Sequence, residues 1–309
     1  MKAHFADRLL AAIRMKGAPV CVGIDPRIDR LPKKLRTRCA DEVEETGHIQ
    51  EFAWDVVDAV APYVPAVKIQ SAYFERYGNV GVDLYEMLCD HAREQHGLLV
   101  IGDVKRGDIG STAEAYARGH MSPESTAFAP IDRKPDAITV NGYFGADGLT
   151  PFVDVAREEG KGVFVLVRTS NPSGATVQDF QAADGRRFYE HMAGVVAEVG
   201  ESEGLLGNSG FSCVGAVVGA TYPDEARRLR DIMPNQLFLV PGYGAQGASA
   251  ADCAAAFRPD GSGAIVNASR SVIYAFEREE YAGMPWQKAV THAAAAFCRD
   301  VVEALSAAG

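Results

Sequence analysis

Three charged side chains follow a short apolar run in the first half of the chain. Residues 98–112 read LLVIGDVKRGDIGST, which places Asp103, Lys105 and Asp108 within six positions. Because side chains alternate between the two faces of a strand, we expect Asp103 and Lys105 on one face, and Gly107 in a turn that presents Asp108. Charges beside a buried strand are costly unless they are paired or perform a function. The segment is therefore predicted to be catalytic, with a salt-bridged strand end as the alternative.

Two further charged residues lie in the first two predicted strands. Asp25 ends the run VCVGID, and Lys68 lies within AVKIQ. A lysine among apolar residues must either face the end of the sheet or be buried at a considerable cost, and an edge lysine that reaches solvent is the alternative. Together with Asp103, Lys105 and Asp108, these residues predict an array of two lysines and three aspartates.

The elements that must position these charges alternate along the chain. Eight short apolar, β-branched runs lie at 20–25, 65–70, 98–104, 136–140, 163–168, 214–219, 237–240 and 263–266. Helical patterns lie between most of them, at 49–61, 82–96, 147–159, 184–199, 223–232 and 247–257. This alternation predicts an α/β fold, a (β/α)8 TIM barrel that forms a single domain over residues 1–309. Insertions are expected at about 26–48, 113–135 and 170–210.

A doubly wound open sheet is the competing architecture. It is disfavoured because VGIDPR, rather than a GxGxxG motif, follows the first predicted strand. In a barrel, the charged strand ends would meet at the carboxyl-terminal face, where the active site forms.

The loops after the seventh and eighth predicted strands have the composition of a phosphate site. PGYGAQGAS contains Gln246 and Gly247, and NASRSVIYA contains Ser269 and Arg270. In TIM barrels, phosphate commonly binds at these two loops, where exposed backbone amides can approach an anion. Taken singly, the glycine-rich loop could be a plain tight turn, and Arg270 could form a surface salt bridge. Their joint occurrence predicts phosphate binding.

Composition excludes several other classes of protein. The chain has 309 residues, 47% of them hydrophobic and 23% charged, and a formal net charge of −10, which disfavours non-specific nucleic-acid binding. No apolar run reaches transmembrane length, and the N-terminus lacks the apolar centre of a signal peptide, so we expect a cytoplasmic protein without membrane contact. The partner is expected to be a small molecule.

Six cysteines are spread along the chain without CxxC spacing. They are Cys21, Cys39, Cys89, Cys213, Cys253 and Cys298. This pattern predicts neither a zinc site nor a disulfide framework, and mostly buried, reduced thiols are expected.

The segment DVKRGDIGST resembles the signature of the orotidine 5'-phosphate decarboxylases, Asp-x-Lys-x-x-Asp-Ile-x-x-Thr. Five other segments occur in the same order as in that family: VGIDPR, VKIQSAYFE, RTSNPSG, PGYGAQG and SRS. The resemblance therefore spans most of residues 20–275. The chain length and the wording KRGDIGSTA resemble the longer bacterial branch of the family. The resemblance implies decarboxylation of orotidine 5'-monophosphate to UMP and CO2, the last step of UMP biosynthesis. It also implies a (β/α)8 homodimer with shared active sites, no metal and no organic cofactor.

The resemblance further implies a role for each residue of the charged array. Lys105 would protonate C6 of the pyrimidine as CO2 leaves, Asp103 would lie against the substrate carboxylate, and Lys68 would orient Asp103 and the ribose. Asp108, together with Thr112, would reach the site of the partner subunit.

Substrate-binding roles are implied for a second group of residues. Asp25 would bond the ribose and Ser170 the pyrimidine edge. Gln246, Gly247, Ser269 and Arg270 would hold the phosphate with nearby backbone amides. Gly107, Gly110 and Ser111 vary the interior of the motif, and the 170–210 insertion leaves the geometry of the lid open.

Two other functions are weighed against this one. Sugar-phosphate lyases of the same suprafamily retain the Asp-x-Lys-x-x-Asp strand end but use Mg²⁺, which the Lys68 and Lys105 pair disfavours. A barrel that binds a nucleotide without catalysis is the third hypothesis.

Overall fold

Eight strands run parallel and close into a barrel in the computed structural model, which describes residues 2–36, 42–124 and 132–308. They are β1 (Val20–Ile24), β2 (Ala66–Gln70), β3 (Leu99–Arg106), β4 (Ala137–Val140), β5 (Gly162–Arg168), β6 (Val214–Val218), β7 (Phe238–Pro241) and β8 (Ala264–Ala268). Each strand pairs with the next, and β8 closes on β1 with Cys21 opposite Asn267. The predicted (β/α)8 fold is confirmed.

Helices surround the barrel and connect its strands. In the described residues they are α1 (Phe5–Lys16), α2 (Glu42–Val60), α3 (Ala72–Glu75), α4 (Gly78–His96), α5 (Gly110–Met121), α6 (Ala146–Glu159), α7 (Ala175–Gln178), α8 (Phe188–Gly200), α9 (Pro223–Ile232), α10 (Ala250–Ala254), α11 (Arg270–Ile273) and α12 (Trp286–Ala308). Among these residues, none of the helices has the length and apolarity needed to cross a membrane.

The strands are buried on both faces because side chains fill the barrel and helices cover it. Every residue of β1, β4, β6 and β8 is buried, which explains why these segments are near-continuous apolar runs in the sequence. The helix α1 packs against this layer through Phe5, whose ring makes an edge contact with Phe164 at 5.9 Å between centroids.

The prediction of an insertion at 113–135 is wrong for residues 113–121, which belong to a barrel helix. The helix α5 occupies Gly110–Met121 and buries Ala113, Ala117 and Met121, which are spaced four residues apart. Small alanines gave this helix a weak apolar signal, so its periodicity was not apparent in the sequence. Residues 125–131 lie outside the described residues, as do 37–41 within the expected insertion at 26–48.

The insertion at 170–210 is partly helical. It contains the short helix α7 and all of α8, which begins at Phe188 rather than at 184. An isolated antiparallel bridge between Gln181 and Arg187 closes the loop between these two helices.

The described cysteines are free thiols, as predicted. Cys21, Cys89, Cys213 and Cys253 are buried, and Cys298 is half-buried. Burial raises the pKa of the Cys21 and Cys89 thiols to about 12, which leaves both neutral and unreactive at pH 7. Cys39 lies outside the described residues.

Candidate active site

The carboxylate of Asp103 is the centre of a buried polar network at the end of β3. Its Oδ2 accepts hydrogen bonds from Lys68 Nζ and Gln70 Nε2, each at 2.9 Å. Its Oδ1 accepts one from Thr139 Oγ1 at 2.9 Å and another from Lys105 Nζ. Both oxygens are therefore fully engaged, and the carboxylate is held in one orientation between two ammonium groups.

The charges in this network stabilise one another against the cost of burial. Burial alone would raise the pKa of Asp103, but Lys68 and Lys105 hold it well below its usual range. Burial would likewise lower the pKa of Lys68, but Asp103 and then Asp25 raise it above its ordinary value. Asp103 is therefore a carboxylate and Lys68 an ammonium throughout the physiological pH range.

The backbone at the end of β3 leaves regular strand geometry at Lys105. Lys105 has a φ of 45°, and the pairing of β3 with β4 shifts register between Gly102 and Arg106. The amide of Lys105 donates to Thr139 Oγ1 at 3.0 Å, which supports this uncommon conformation. The positive φ in this segment thus falls on Lys105 and not on Gly107, where the turn was predicted. Lys105 and Asp103 face the same cavity, as predicted.

Gly107 serves a different purpose from the predicted turn. A Cβ at this position would lie 3.1 Å from the Asn141 carbonyl oxygen and 3.2 Å from the Asn141 Cβ. The absence of a side chain therefore allows the loop after β3 to pack closely against the end of β4.

Two adjoining cavities open at the carboxyl-terminal end of the barrel. The first, of about 310 Å³, is lined by the charged network together with Ser170 and Leu166. The second, of about 270 Å³, lies against the loops that follow β7 and β8. Asp25 lines both, and its Oδ1 is 4.0 Å from Lys68 Nζ. Their combined volume is in the range of small-molecule sites, roughly 300–1,000 Å³.

The second cavity contains most of the residues predicted to bind phosphate. Gln246, Ser269 and Arg270 line it, whereas Gly247 lies in the same loop with a φ of 93° but does not line the cavity. Arg270 is exposed, and its guanidinium forms no hydrogen bond or ion pair with any described residue, which argues against the surface salt bridge considered above. Its guanidinium is available to an anion.

Ser269 reaches the cavity because β1 has a glycine opposite to it. A Cβ on Gly23 would come within 1.9 Å of Ser269 Oγ, so any larger residue there would displace this hydroxyl. The glycine of VGIDPR is thereby explained by the close approach of β8 to β1.

Asp108 and Thr112 are not brought to these cavities. Asp108 Oδ1 accepts a hydrogen bond from the Ile109 amide at 2.8 Å, and Thr112 is exposed in the first turn of α5. Neither residue lines either of the two cavities of its own chain.

The model of the orotidine 5'-phosphate decarboxylase / HUMPS family matches residues 18–283. The chain belongs to this family. A protein of Rhodopirellula baltica named orotidine 5'-phosphate decarboxylase is 44% identical over 295 residues, which cover 93% of this chain and 95% of that protein. One of the same name from Deinococcus radiodurans is 42% identical, with 89% and 91% covered.

Solved structures assigned to this family agree over nearly the whole chain. One from Streptomyces avermitilis superposes with a TM-score of 0.79 at 36% identity, covering 98% of this chain and 96% of that one. The OMP decarboxylase of Leishmania donovani superposes with a TM-score of 0.74 at 29% identity, covering 98% and 99%. The resemblance seen in the sequence is confirmed.

The sequence-based prediction missed three polar residues of this candidate site. Thr139 and Gln70 bond directly to Asp103, and Asn267 lines both cavities. Each is a polar residue at or near the carboxyl end of an otherwise apolar strand, which is the same signal that identified Lys68. Applied to every predicted strand, it would have found Gln70 and Thr139, whereas Asn267 lies one residue beyond the predicted run at 263–266.

Proposed function

We propose that this chain decarboxylates orotidine 5'-monophosphate to UMP and CO2. The observation that carries the proposal is the Asp103 carboxylate fixed between Lys68 and Lys105 on the wall of a cavity that continues to an unpaired arginine, Arg270. Such a site offers an ammonium at the reacting carbon and a cation for a phosphate at the other end. The names of the family relatives support the same reaction.

In the proposed reaction, the bond between C6 and the carboxylate carbon breaks, and its electron pair stays on C6. Lys105 Nζ donates a proton to C6, CO2 departs, and Lys105 takes a proton from solvent before the next turnover. Lys105 suits this role because its side chain is 48% exposed in the cavity, whereas that of Lys68 is 7% exposed. Lys68 instead holds Asp103 in place.

Electrostatics account for part of the acceleration. A pair of unit charges about 4 Å apart is worth roughly 4 kcal/mol at an effective dielectric near 20. Expressed only in the transition state, that energy corresponds to about three powers of ten in rate. Repulsion between Asp103 and the substrate carboxylate, relieved as CO2 leaves, would add to this, because two like charges in a buried site disfavour the ground state.

Binding at the phosphate end is proposed to contribute the remainder. Arg270, Gln246 and Ser269 would engage a group that does not react, and energy from such remote contacts can be used to orient the ring against Lys105. Thr169, Ser170 and Asn171 line the other side of the first cavity, where their polar groups would meet the pyrimidine edge.

We further propose that the active unit is a homodimer in which Asp108 and Thr112 complete the partner's site. Large apolar side chains are exposed next to them: Ile109 is 55% exposed, Tyr143 72% and Phe144 45%. Phe144 packs beside Gly107, so these residues form one surface with Asp108. A second copy of the chain would cover this surface and bring both polar residues to a neighbouring cavity.

A magnesium-dependent sugar-phosphate lyase is the second candidate. It is less well supported because Asp103, the carboxylate at the centre of the array, already bonds two ammonium groups that would repel a divalent cation.

The experiment that separates the two candidates is an assay of product formation. Purified chain is incubated with orotidine 5'-monophosphate in EDTA, and separately with a keto-sugar phosphate and Mg²⁺, followed by chromatography of the products. UMP formed in EDTA is the expected result. Turnover of the sugar phosphate alone would support the lyase, and UMP binding without any turnover would support a silent nucleotide-binding barrel.

A further inference from the structure

Three potential metal ligands meet on the outer surface, between α2 and α4. The Nε2 atoms of His91 and His96 each lie 2.7 Å from the same oxygen, Oδ1 of Asp58. The three donor atoms fall within 4.8 Å of one another. Within the described part of the chain, no other group of His, Cys, Asp and Glu side chains converges in this way.

The local structure fixes the two imidazoles in this orientation. His96 is the last residue of α4, which ends at Gly97 with a φ of 64°. The rings of His91 and His96 make an edge contact with 5.2 Å between centroids. The ring of Trp54 on α2 packs against the ring of His91, with 5.4 Å between centroids. The side chains of His91 and His96 are 17% and 25% exposed, whereas that of Asp58 is 52% exposed, so the carboxylate lies on the solvent side of the cluster.

We propose that Asp58, His91 and His96 form a binding site for a divalent first-row transition-metal ion, with Zn²⁺ as the ion that fits best. Two imidazole nitrogens and one carboxylate oxygen are a donor set that suits Zn²⁺, while Mg²⁺ and Ca²⁺ prefer oxygen ligands only. Zinc–ligand distances of about 2.0–2.2 Å require donor atoms roughly 3.3 Å apart in a tetrahedral site. The present 2.7 Å separations would have to open by about half an ångström, and water would fill the fourth position.

A simple hydrogen-bonded cluster is the competing explanation. In that case each ring donates its Nε2–H to Asp58, and a metal ion would have to replace both protons. The charges that face the cluster include Asp90 and Glu94, which line the adjoining cavity with Arg133. The two nearby carboxylates favour a bound cation, and Arg133 is within 3.9 Å of Asp83, which partly neutralises it.

The site lies at the end of the barrel opposite Lys105. Asp58 is in the last turn of α2, and His96 precedes Leu99, the first residue of β3, whereas Lys105 is near the end of that strand. Residues at this amino-terminal face of a TIM barrel contribute to stability rather than catalysis. A bound ion would join α2 to α4 and stabilise the folded state, with no contact to the reacting groups.

The test uses the 309-residue chain without an affinity tag, treated with EDTA and then dialysed. Zn²⁺ binding is measured by calorimetry, and the unfolding temperature is measured with and without Zn²⁺. His91→Gln and His96→Gln remove one ligand each. His292→Gln, on the exposed face of α12, is the matched control for a surface histidine outside the site.

We expect wild type and His292→Gln each to bind one equivalent of Zn²⁺. His91→Gln and His96→Gln should bind Zn²⁺ at least about tenfold more weakly, because even the loss of a residue that only supports a metal ligand lowers metal affinity by about 10–100-fold. Zn²⁺ should raise the unfolding temperature of wild type and His292→Gln but not that of the two ligand variants. Mg²⁺ should not raise the unfolding temperature of any of the four proteins. Because these readouts do not involve turnover, they do not depend on the proposed decarboxylase activity.

Asp58→Asn separates the metal site from the hydrogen-bonded cluster. The amide oxygen still accepts a hydrogen bond from an imidazole, but it is a much poorer metal ligand than a carboxylate. Weak Zn²⁺ binding by a folded Asp58→Asn protein is expected. The proposal is overturned if wild type binds no Zn²⁺ at 100-fold excess, or if the ligand variants and Asp58→Asn keep the wild-type equivalent.

Discussion

Lys68 Nζ lies 2.9 Å from Asp103 Oδ2, and both side chains are more than nine-tenths buried. A buried ion pair is stable only if each charge keeps its partner, because removing one leaves the other unpaired in a low-dielectric site. Lys105 bonds the remaining oxygen of Asp103 from the more exposed side. The pair therefore forms a rigid support on which a reactive ammonium is displayed to the cavity.

The first prediction concerns the pH dependence of stability. The pKa of Asp103 is depressed in the folded state, so its contribution is fully present above its unfolded-state pKa of about 4. That contribution is lost as pH falls through the lower folded-state value. Lys68, whose pKa is raised, contributes fully below its unfolded-state pKa of about 10.4 and loses this only at higher pH.

Urea unfolding between pH 7 and pH 3 tests this difference. At pH 7, Asp103→Asn should lower the free energy of unfolding by about 3 kcal/mol, because Lys68 loses its charged partner. The gap between wild type and variant should narrow as the solution is acidified below pH 4. Asp154→Asn, at an exposed surface pair on α6, should remain close to wild type throughout. A gap that is constant with pH would contradict the assigned ionisation.

Thr139 is predicted to position the catalytic groups. It is 1% exposed, donates to Asp103 and accepts from the Lys105 amide. Thr139→Val should reduce kcat by about tenfold with little change in KM, since one hydrogen bond to a charged group is worth roughly 1.5 kcal/mol. Thr139→Ser keeps the hydroxyl and should recover most of kcat. If Thr139 had a purely structural role, Thr139→Val would lower the free energy of unfolding but leave kcat unchanged.

Arg270→Ala should chiefly weaken substrate binding. Loss of charge-assisted hydrogen bonds to phosphate costs about 1.5–3 kcal/mol, which corresponds to a rise in KM of roughly 10–100-fold. Steady-state kinetics measures this rise directly. Arg278→Ala, which removes an exposed arginine paired with Glu280, is the matched control and should leave KM unchanged. Equal effects of the two substitutions would rule out a specific phosphate contact by Arg270.

Mixing two inactive variants tests the shared site. Lys105→Ala and Asp108→Ala homodimers should each be nearly inactive. Subunit exchange in an equimolar mixture would produce heterodimers with one intact site out of two, and about a quarter of wild-type activity should return. No recovery despite exchange, or full activity of Asp108→Ala alone, would show that Asp108 serves no partner site. Tyr143→Asp should shift the protein toward monomers in sedimentation.

The barrel was predictable from the sequence because parallel strands buried on both faces appear as short β-branched runs. All eight runs coincide with strands to within two residues at each end. The charged residues were predictable for a related reason, since Asp25, Lys68 and Asp103 interrupt those runs where apolar residues are expected. Strand order then brings them together, because consecutive parallel strands are neighbours in a barrel.

Other features depend on contacts between distant parts of the chain. The positive φ of Lys105 is supported by Thr139 on the neighbouring strand, and no local pattern indicates it. The helix α12, which is 23 residues long, was not predicted either, because its many alanines give only a weak apolar periodicity. The cluster of Asp58 with His91 and His96 joins two helices, and its separation of 33 residues matches no metal-binding motif.

The most direct test is the loss of ultraviolet absorbance when orotidine 5'-monophosphate is mixed with wild type and Lys105→Ala in EDTA, with UMP binding to both proteins measured in parallel. Conversion of the orotate ring to uracil changes the chromophore itself. We predict rapid loss with wild type and a rate at least about 10³-fold lower with Lys105→Ala, which should still bind UMP. No absorbance change with folded wild type, or near-normal turnover by Lys105→Ala, would contradict the assigned reaction and the role of Lys105.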